Sequence, residues 1–153
     1  MPDKRYEAEI SVHKGVLEPA EHSDAQRILL VDDEQCILTT VSCIFEGMGY
    51  DTDVAGNGFE ALNMFLRKPF DLVVTDLNMK GMDGLSLINK IKQRSPLTPV
   101  ILLTGEEPVT VKKKAKNSKV DLILFKPFKI EDIENAVLGV LDKKGSHGNI
   151  IYQ

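Results

Sequence analysis

Four polar side chains lie at the carboxyl ends of three short runs rich in apolar residues: the pair Asp32 and Asp33 after the first run, Asp76 after the second and Lys126 after the third. Runs of this length, rich in Val, Ile and Leu, are typical of strands buried on both faces of a parallel sheet. In open α/β sheets, ligands bind outside the carboxyl ends of the strands. We therefore predict that three carboxylates and a lysine meet at one rim of a sheet.

Three carboxylates at one rim repel one another unless protons or a cation accompany them. At ~4 Å and an effective dielectric of ~20, each ionised pair costs about 4 kcal/mol. Mg²⁺ suits the cluster, because it is a hard ion that binds one or two carboxylates, keeps several waters and also binds a phosphate. Thr104, at the end of a further run, offers a hydroxyl to phosphoryl oxygens, and Lys126 offers an ammonium. Asp76 could then accept a phosphoryl group as an aspartyl phosphate.

Five apolar runs alternate with five amphipathic segments. The strands are predicted at residues 27–32, 50–55, 71–76, 100–104 and 120–125, and a helix follows each, the fourth over 107–118 and the last over 130–141. This alternation predicts right-handed βαβ crossovers and a doubly wound parallel α/β sheet. Residues 1–26 are predicted to form a flexible arm, and residues 143–153 a loose tail.

The composition is that of an ordinary one-domain protein, with 153 residues, 42% hydrophobic content and a net charge of −4. Nothing in it calls for nucleic acid. Without an apolar stretch near the ~20 residues of a membrane span, and without the apolar centre of a secretory signal, the expected location is cytoplasmic. Cys36 and Cys43 lie seven residues apart on the first predicted helix, too far to bridge.

The order and spacing of the polar residues resemble the receiver domain of two-component response regulators over residues 27 to about 142. The paired acids, the central Asp76, Thr104 with Gly105 after it, and the sequence Lys126-Pro127-Phe128 occur in family order. Two further stretches resemble the family's phosphorylation loop: Asp76-Leu77-Asn78-Met79 and Met82-Asp83-Gly84.

The resemblance implies a chemotaxis-regulator-like fold, the flavodoxin-like α/β sheet of five parallel strands in the order 2-1-3-4-5 with five helices. It also implies that Asp76 is the phosphoacceptor. Mg²⁺ would be held by Asp33, Asp76 and the backbone carbonyl of Asn78, with Asp32 acting through water.

The resemblance assigns further roles around the acceptor. Lys126, in a cis bond to Pro127, would grip the phosphoryl group, and Thr104 would move toward it. Asn78 and Glu106 occupy positions that resemble the family's tuning sites for spontaneous dephosphorylation. Ile123 is a departure, because the family usually has Tyr or Phe three residues before the lysine. An aliphatic side chain has no ring to exchange between exposed and buried states, so signal transmission would rely on loop and helix shifts.

As a receiver, the chain would be a phosphorylation-dependent switch and not a turnover enzyme. A sensor histidine kinase or phosphotransfer protein would donate to Asp76, and the phosphorylated state would favour a different partner. In receivers, the face formed by the fourth helix, fifth strand and fifth helix commonly meets partners or a second receiver. Lys112, Lys116 and Lys119 lie on one side of the predicted fourth helix, where a solvated face is the default and an acidic partner the alternative.

Other functions, and purely structural roles, could also explain these residues. A hydrolase of the haloacid dehalogenase type also uses a nucleophilic Asp, Mg²⁺ and a lysine, but it needs a second Asp where this chain has Asn78. A phosphorylation-independent binding module would not need the complete acidic site. Taken alone, Asp32-Asp33 would be a helix cap. Residues 56–61 match a dinucleotide-binding fingerprint, but they follow the second predicted strand instead of the first.

The segment after residue 142 is too short for a DNA-binding or catalytic output domain. We expect either a stand-alone receiver or a receiver cut from a longer protein, and no contact with membranes or, directly, with nucleic acid.

Overall fold

Short runs of Val, Ile and Leu form the strands of a parallel sheet, and the amphipathic segments between them form its helices. The computed structural model describes residues 24–142 and 151–152. Its elements in chain order are β1 (Arg27–Val31), α1 (Gln35–Gly47), β2 (Asp51–Ala55), α2 (Gly58–Arg67), β3 (Leu72–Asp76), α3 (Gly84–Arg94), β4 (Val100–Thr104), α4 (Pro108–Lys114), β5 (Leu122–Phe125), α5 (Ile130–Asp142) and β6 (Ile151–Tyr152).

The strands pair in the order β2-β1-β3-β4-β5-β6, and every pair is parallel. The predicted order 2-1-3-4-5 and the predicted alternation with five helices are confirmed. Successive residues of a strand point to opposite faces, so β1 contributes to two cores. Ile28 and Leu30 pack in the core that α1 and α5 cover, whereas Leu29 and Val31 pack in the core beneath α2 and α3.

The outer edge of β5 is paired with the short strand β6. Leu122 is in register with Ile151, and Ile123 is in register with Tyr152. These two residues depart from the loose tail predicted for residues 143–153. An open strand edge presents unpaired backbone groups, and Ile and Tyr favour strands, which explains the pairing. The rest of that predicted tail, like residues 1–23 of the predicted arm, lies outside the described residues.

Helix α4 is shorter than predicted, because it ends at Lys114 and not near residue 118. The backbone N–H of Ser118 donates to the carbonyl of Ala115 at 2.9 Å, which marks a tight turn after the helix. Asn117 and Ser118 have lower helix propensity than the lysines before them. The prediction of one helical lysine face is therefore wrong in detail, since Lys116 and Lys119 follow the helix.

The turn that resembles a dinucleotide fingerprint caps helix α2. Asn57 Oδ1 accepts a hydrogen bond from the Glu60 N–H at 2.8 Å, and Glu60 Oε2 accepts one from the Gly56 N–H at 3.1 Å. The first bond caps the helix, and the second resembles the return bond of a capping box but reaches the residue before the N-cap. The pattern of residues that resembled the fingerprint is thereby accounted for by local structure.

Carboxylates at the amino ends of the strands bond to backbone groups. Asp71 Oδ2 accepts the Arg27 N–H at 2.8 Å, and Asp121 Oδ2 accepts the Val100 N–H at 2.7 Å. The buried Lys92 ammonium pairs with Asp121 at 2.9 Å. Asp71 and Asp121 therefore have structural roles at this edge of the sheet.

No helix between residues 24 and 142 has both the length and the apolar content to span a bilayer. Cys36 and Cys43 are exposed on α1, and neither takes part in a disulfide.

Candidate functional site

The carboxyl ends of the neighbouring strands β1 and β3 bring three carboxylates together. Val31 is in register with Thr75, so the residues that follow these two lie side by side. One oxygen from each of Asp32, Asp33 and Asp76 can be chosen so that all three lie within 4.8 Å of one another. Asp32 and Asp76 are buried, whereas Asp33 is exposed. The predicted gathering of acids at one rim is thus present.

The two carboxylate oxygens of Asp32 have different partners, one just before α1 and one in the acidic cluster. Its Oδ1 accepts the Glu34 N–H at 2.9 Å, and its Oδ2 lies 3.3 Å from Lys126 Nζ. The first contact is an Asx turn before the helix and not a helix cap, because Glu34 is itself the N-cap and no side chain caps α1. The second oxygen remains directed at the lysine.

Lys126 extends from the end of β5 to the acidic cluster. Its Nζ donates to Asp76 Oδ1 at 3.0 Å, and its backbone N–H donates to the Thr104 carbonyl at 2.7 Å. The peptide bond between Lys126 and Pro127 is cis, as the family resemblance implies. A single ammonium therefore contacts two of the three carboxylates.

Burial and neighbouring charges shift the pKa values of Asp76 and Lys126. Burial raises the pKa of Asp76, and the charges of Asp32 and Asp33 raise it further, while the hydrogen bond from Lys126 opposes them. Burial alone would lower the pKa of Lys126, but the bond and charge of Asp76 together with the charge of Asp32 leave it raised. The lysine stays protonated, yet one positive charge does not balance three carboxylates.

Gly84 holds the acceptor strand against the start of α3. Its N–H donates to the Leu77 carbonyl at 2.8 Å. A Cβ atom at Gly84 would lie 3.0 Å from the Asp76 carbonyl carbon and 3.0 Å from Leu77 Cα, and nearer still to the Asp76 carbonyl oxygen. Only glycine permits this approach. The sequence placed Gly84 in a family-like loop but gave no sign of its contact with the acceptor.

We predict that Gly84→Ala destabilises the protein by about 1–3 kcal/mol, because overpacking against backbone atoms cannot be relieved by a rotamer change. Urea denaturation measures the loss. Gly139 in α5 is the matched control, since a Cβ there meets nothing within 4 Å. Gly139→Ala should instead raise stability by about 0.5–1 kcal/mol, as expected for glycine in a helix. Equal stability of Gly84→Ala and the wild type would contradict the packing argument.

Thr104, Asn78 and Glu106 form a linked group at the rim that carries Asp76. Thr104 follows Leu103, which is in register with Asp76, and its side chain is fully buried. Thr104 Oγ1 accepts the Glu106 N–H at 3.0 Å. The Glu106 carboxylate accepts hydrogen bonds from Lys114 Nζ at 2.9 and 3.0 Å. These bonds, with a further contact from the Asn78 side chain, lower the pKa of Glu106.

Sequence reasoning missed Lys114, because three consecutive lysines gave no sign of which one reaches back to Glu106. Asn78 is exposed, and whether its carbonyl is a metal ligand stays a prediction. Met79 and Met82 pack in the core beneath the loop, as expected for methionines there. The site thus combines hard oxygen ligands, an ammonium and a hydroxyl, groups suited to binding a divalent cation and a phosphoryl group.

The fold and this site define a class, the doubly wound α/β proteins that carry acidic groups at the carboxyl ends of their strands. Residues 28–138 match the family described as the response regulator receiver domain, and the chain belongs to that family. Receiver domains are signalling domains of two-component systems.

Individual relatives agree with the family assignment. Sporulation initiation phosphotransferase F of Bacillus subtilis is 31% identical over 121 residues, which is 79% of this chain and 98% of that protein. The chemotaxis protein CheY4 of Vibrio cholerae has a structure with a TM-score of 0.72 at 30% identity, covering 76% of this chain and 98% of that one. The chain spans only 24% to 47% of three transcriptional regulatory proteins that it matches.

A third structure shares the fold at lower identity. The receiver domain of the sensor histidine kinase PA1611 of Pseudomonas aeruginosa has a TM-score of 0.72 at 22% identity, covering 77% of this chain and 98% of that chain. That structure holds a magnesium ion in its active-site cleft.

Proposed function

We propose that this chain is a phosphorylation-dependent switch in which Asp76 accepts a phosphoryl group. The observation that supports this most directly is the position of the Asp76 carboxylate, 3.0 Å from Lys126 Nζ and close to two further carboxylates. The donor would be a phosphohistidine of a sensor histidine kinase or of a phosphotransfer protein. Such donors are made with ATP, which would place the exchange in the cytoplasm.

The donor set of the cluster fits Mg²⁺. Three carboxylates, one of them exposed to solvent, supply the hard oxygen ligands that this ion prefers. Asp33, Asp76 and the carbonyl of Asn78 would hold it, with Asp32 acting through water. The bound ion would neutralise charge on the phosphoryl oxygens during transfer.

The residues of the chain carry the transfer itself. An oxygen of Asp76 bonds to phosphorus while the bond from phosphorus to the histidine nitrogen breaks, and the imidazole takes a proton as it leaves. The Lys126 ammonium moves from Asp76 to the phosphoryl oxygens, where it offsets their charge. The Thr104 hydroxyl would then bond to the same group, which changes its present contact with the Glu106 N–H.

The change at Thr104 would favour a second arrangement of the loop between β4 and α4. Ile123 is fully buried, and it supplies no ring for an aromatic exchange. A downstream partner, or a second copy of the chain, would bind the face formed by α4, β5 and α5, beside the strand β6 that already pairs with the outer edge of β5. Val109 on α4 and Ile130 on α5 are 64% and 61% exposed, which supports a docking role for this face.

The proposal is tested by incubating the protein with Mg²⁺ and acetyl phosphate and measuring its intact mass. We expect the addition of one phosphoryl group, absent without Mg²⁺ and absent in Asp76→Asn. Equal labelling of Asp76→Asn would contradict the assignment of the acceptor. Multiple turnover of a phosphate ester would favour the hydrolase alternative instead.

A further inference from the structure

An ion pair joins the two ends of helix α4. Glu106 lies in the loop before the helix, and Lys114 is its last residue. Lys114 Nζ lies 2.9 Å from one Glu106 carboxylate oxygen and 3.0 Å from the other. Both partners are partly exposed, with 23% of the Glu106 side chain accessible and 47% of that of Lys114. The pair therefore responds to salt and contributes little to stability by itself.

Glu106 also contacts the groups that surround the acceptor. Its backbone N–H donates to Thr104 Oγ1 at 3.0 Å. Its carboxylate interacts with the side chain of Asn78, two residues after Asp76. Through Glu106, the last residue of α4 is linked to the acceptor loop and to the buried threonine at the end of β4.

The pair between Lys114 and Glu106 affects the negative charge that an incoming phosphodonor meets. The acidic cluster already contains three carboxylates, and Lys126 is committed to two of them. A phosphodonor is itself an anion, so a fourth free carboxylate at the same rim, in contact with Asn78 of the acceptor loop, would oppose its approach. Lys114 neutralises Glu106 and keeps both carboxylate oxygens directed along α4.

We propose that Lys114 is a positioning residue for the phosphorylation of Asp76, because it holds and neutralises the Glu106 carboxylate while an anionic phosphodonor enters. This inference rests on the proposed function and adds a residue to it. Lys114 touches none of the reacting atoms and acts through Glu106 alone.

The test is the second-order rate constant for phosphorylation of Asp76 by acetyl phosphate, with Mg²⁺ saturating and ionic strength low. Lys114→Met should lower it about threefold, the scale of a partly exposed ion pair. Lys114→Arg should retain the wild-type rate, because a guanidinium can bind both carboxylate oxygens. Lys113→Met is the matched control, since it removes the same charge from the neighbouring exposed position and should leave the rate unchanged.

A double-mutant cycle separates action through Glu106 from direct attraction of the donor. In a Glu106→Gln background, Lys114→Met should have no further effect, and added salt should shrink the effect in the wild-type background. The inference is overturned if Lys114→Met and Lys113→Met slow the reaction equally, if neither slows it, or if the Lys114 effect persists in Glu106→Gln. Failure of the wild type to accept phosphate at all would instead overturn the proposed function.

Discussion

Replacing Lys126 by methionine should lower the rate of Asp76 phosphorylation by about a hundredfold or more, the scale seen when one charge-stabilising donor is removed from an active site. The Lys126 ammonium lies 3.0 Å from Asp76 Oδ1 and 3.3 Å from Asp32 Oδ2, with 20% of its side chain accessible. Without it, Mg²⁺ alone would offset the charges of the carboxylates and of the incoming phosphoryl group. Intact mass, followed over time with acetyl phosphate and Mg²⁺, measures the rate.

Lys129→Met is the control for this experiment. Lys129 is exposed in the same loop, and its substitution removes the same charge. It should phosphorylate at nearly the wild-type rate. Lys126→Arg should recover only part of the activity, since the planar guanidinium differs in shape from the compact ammonium. A Lys126→Met rate within a few-fold of wild type would show that the ammonium has no part in transfer.

Mg²⁺ should raise the thermal stability of the wild-type protein, and Asp33→Asn should remove most of that increase. A ligand that binds only the folded state stabilises it by about 2.7 kcal/mol at a concentration one hundred times its Kd. Asp33 is the exposed member of the acidic cluster, so its replacement leaves the buried contacts of Asp32 and Asp76 in place. The Tm, measured over a series of Mg²⁺ concentrations, reports the effect.

The same substitution should raise the Tm in the absence of divalent ions, because it removes one of three mutually repelling charges. Glu46→Gln, at an exposed position of α1, removes an equal charge away from the cluster and should preserve the response to Mg²⁺. If Mg²⁺ raised the Tm of Asp33→Asn as much as that of the wild type, the ion would bind elsewhere.

The strands and the site rim could be predicted because buried parallel strands leave a clear sequence pattern. A continuous apolar run identifies the strand, and the first polar residue after it lies at the carboxyl rim. Asp32, Asp76 and Lys126 were placed in this way, and the structure brings the three together. The strand order came from the family resemblance, since periodicity does not say which strands are neighbours.

Other features depend on contacts between distant or long side chains, which periodicity does not encode. The approach of Gly84 to Asp76 requires the geometry of the folded loop. The pair between Lys114 and Glu106 depends on which of three adjacent lysines turns back along α4. The pairing of Ile151 and Tyr152 with β5 depends on the open outer edge of β5, a strand that lies well before them in the sequence.

Phosphorylation of Asp76 would give an aspartyl phosphate, and chemical trapping of that bond identifies the residue that carries it. Borohydride reduces an acyl phosphate to an alcohol, so phosphorylated aspartate becomes homoserine, which peptide mass spectrometry locates. After treatment with acetyl phosphate and Mg²⁺, we predict homoserine at position 76 and at no other aspartate. Homoserine at another position, or its absence from a protein that has gained phosphate, would contradict it.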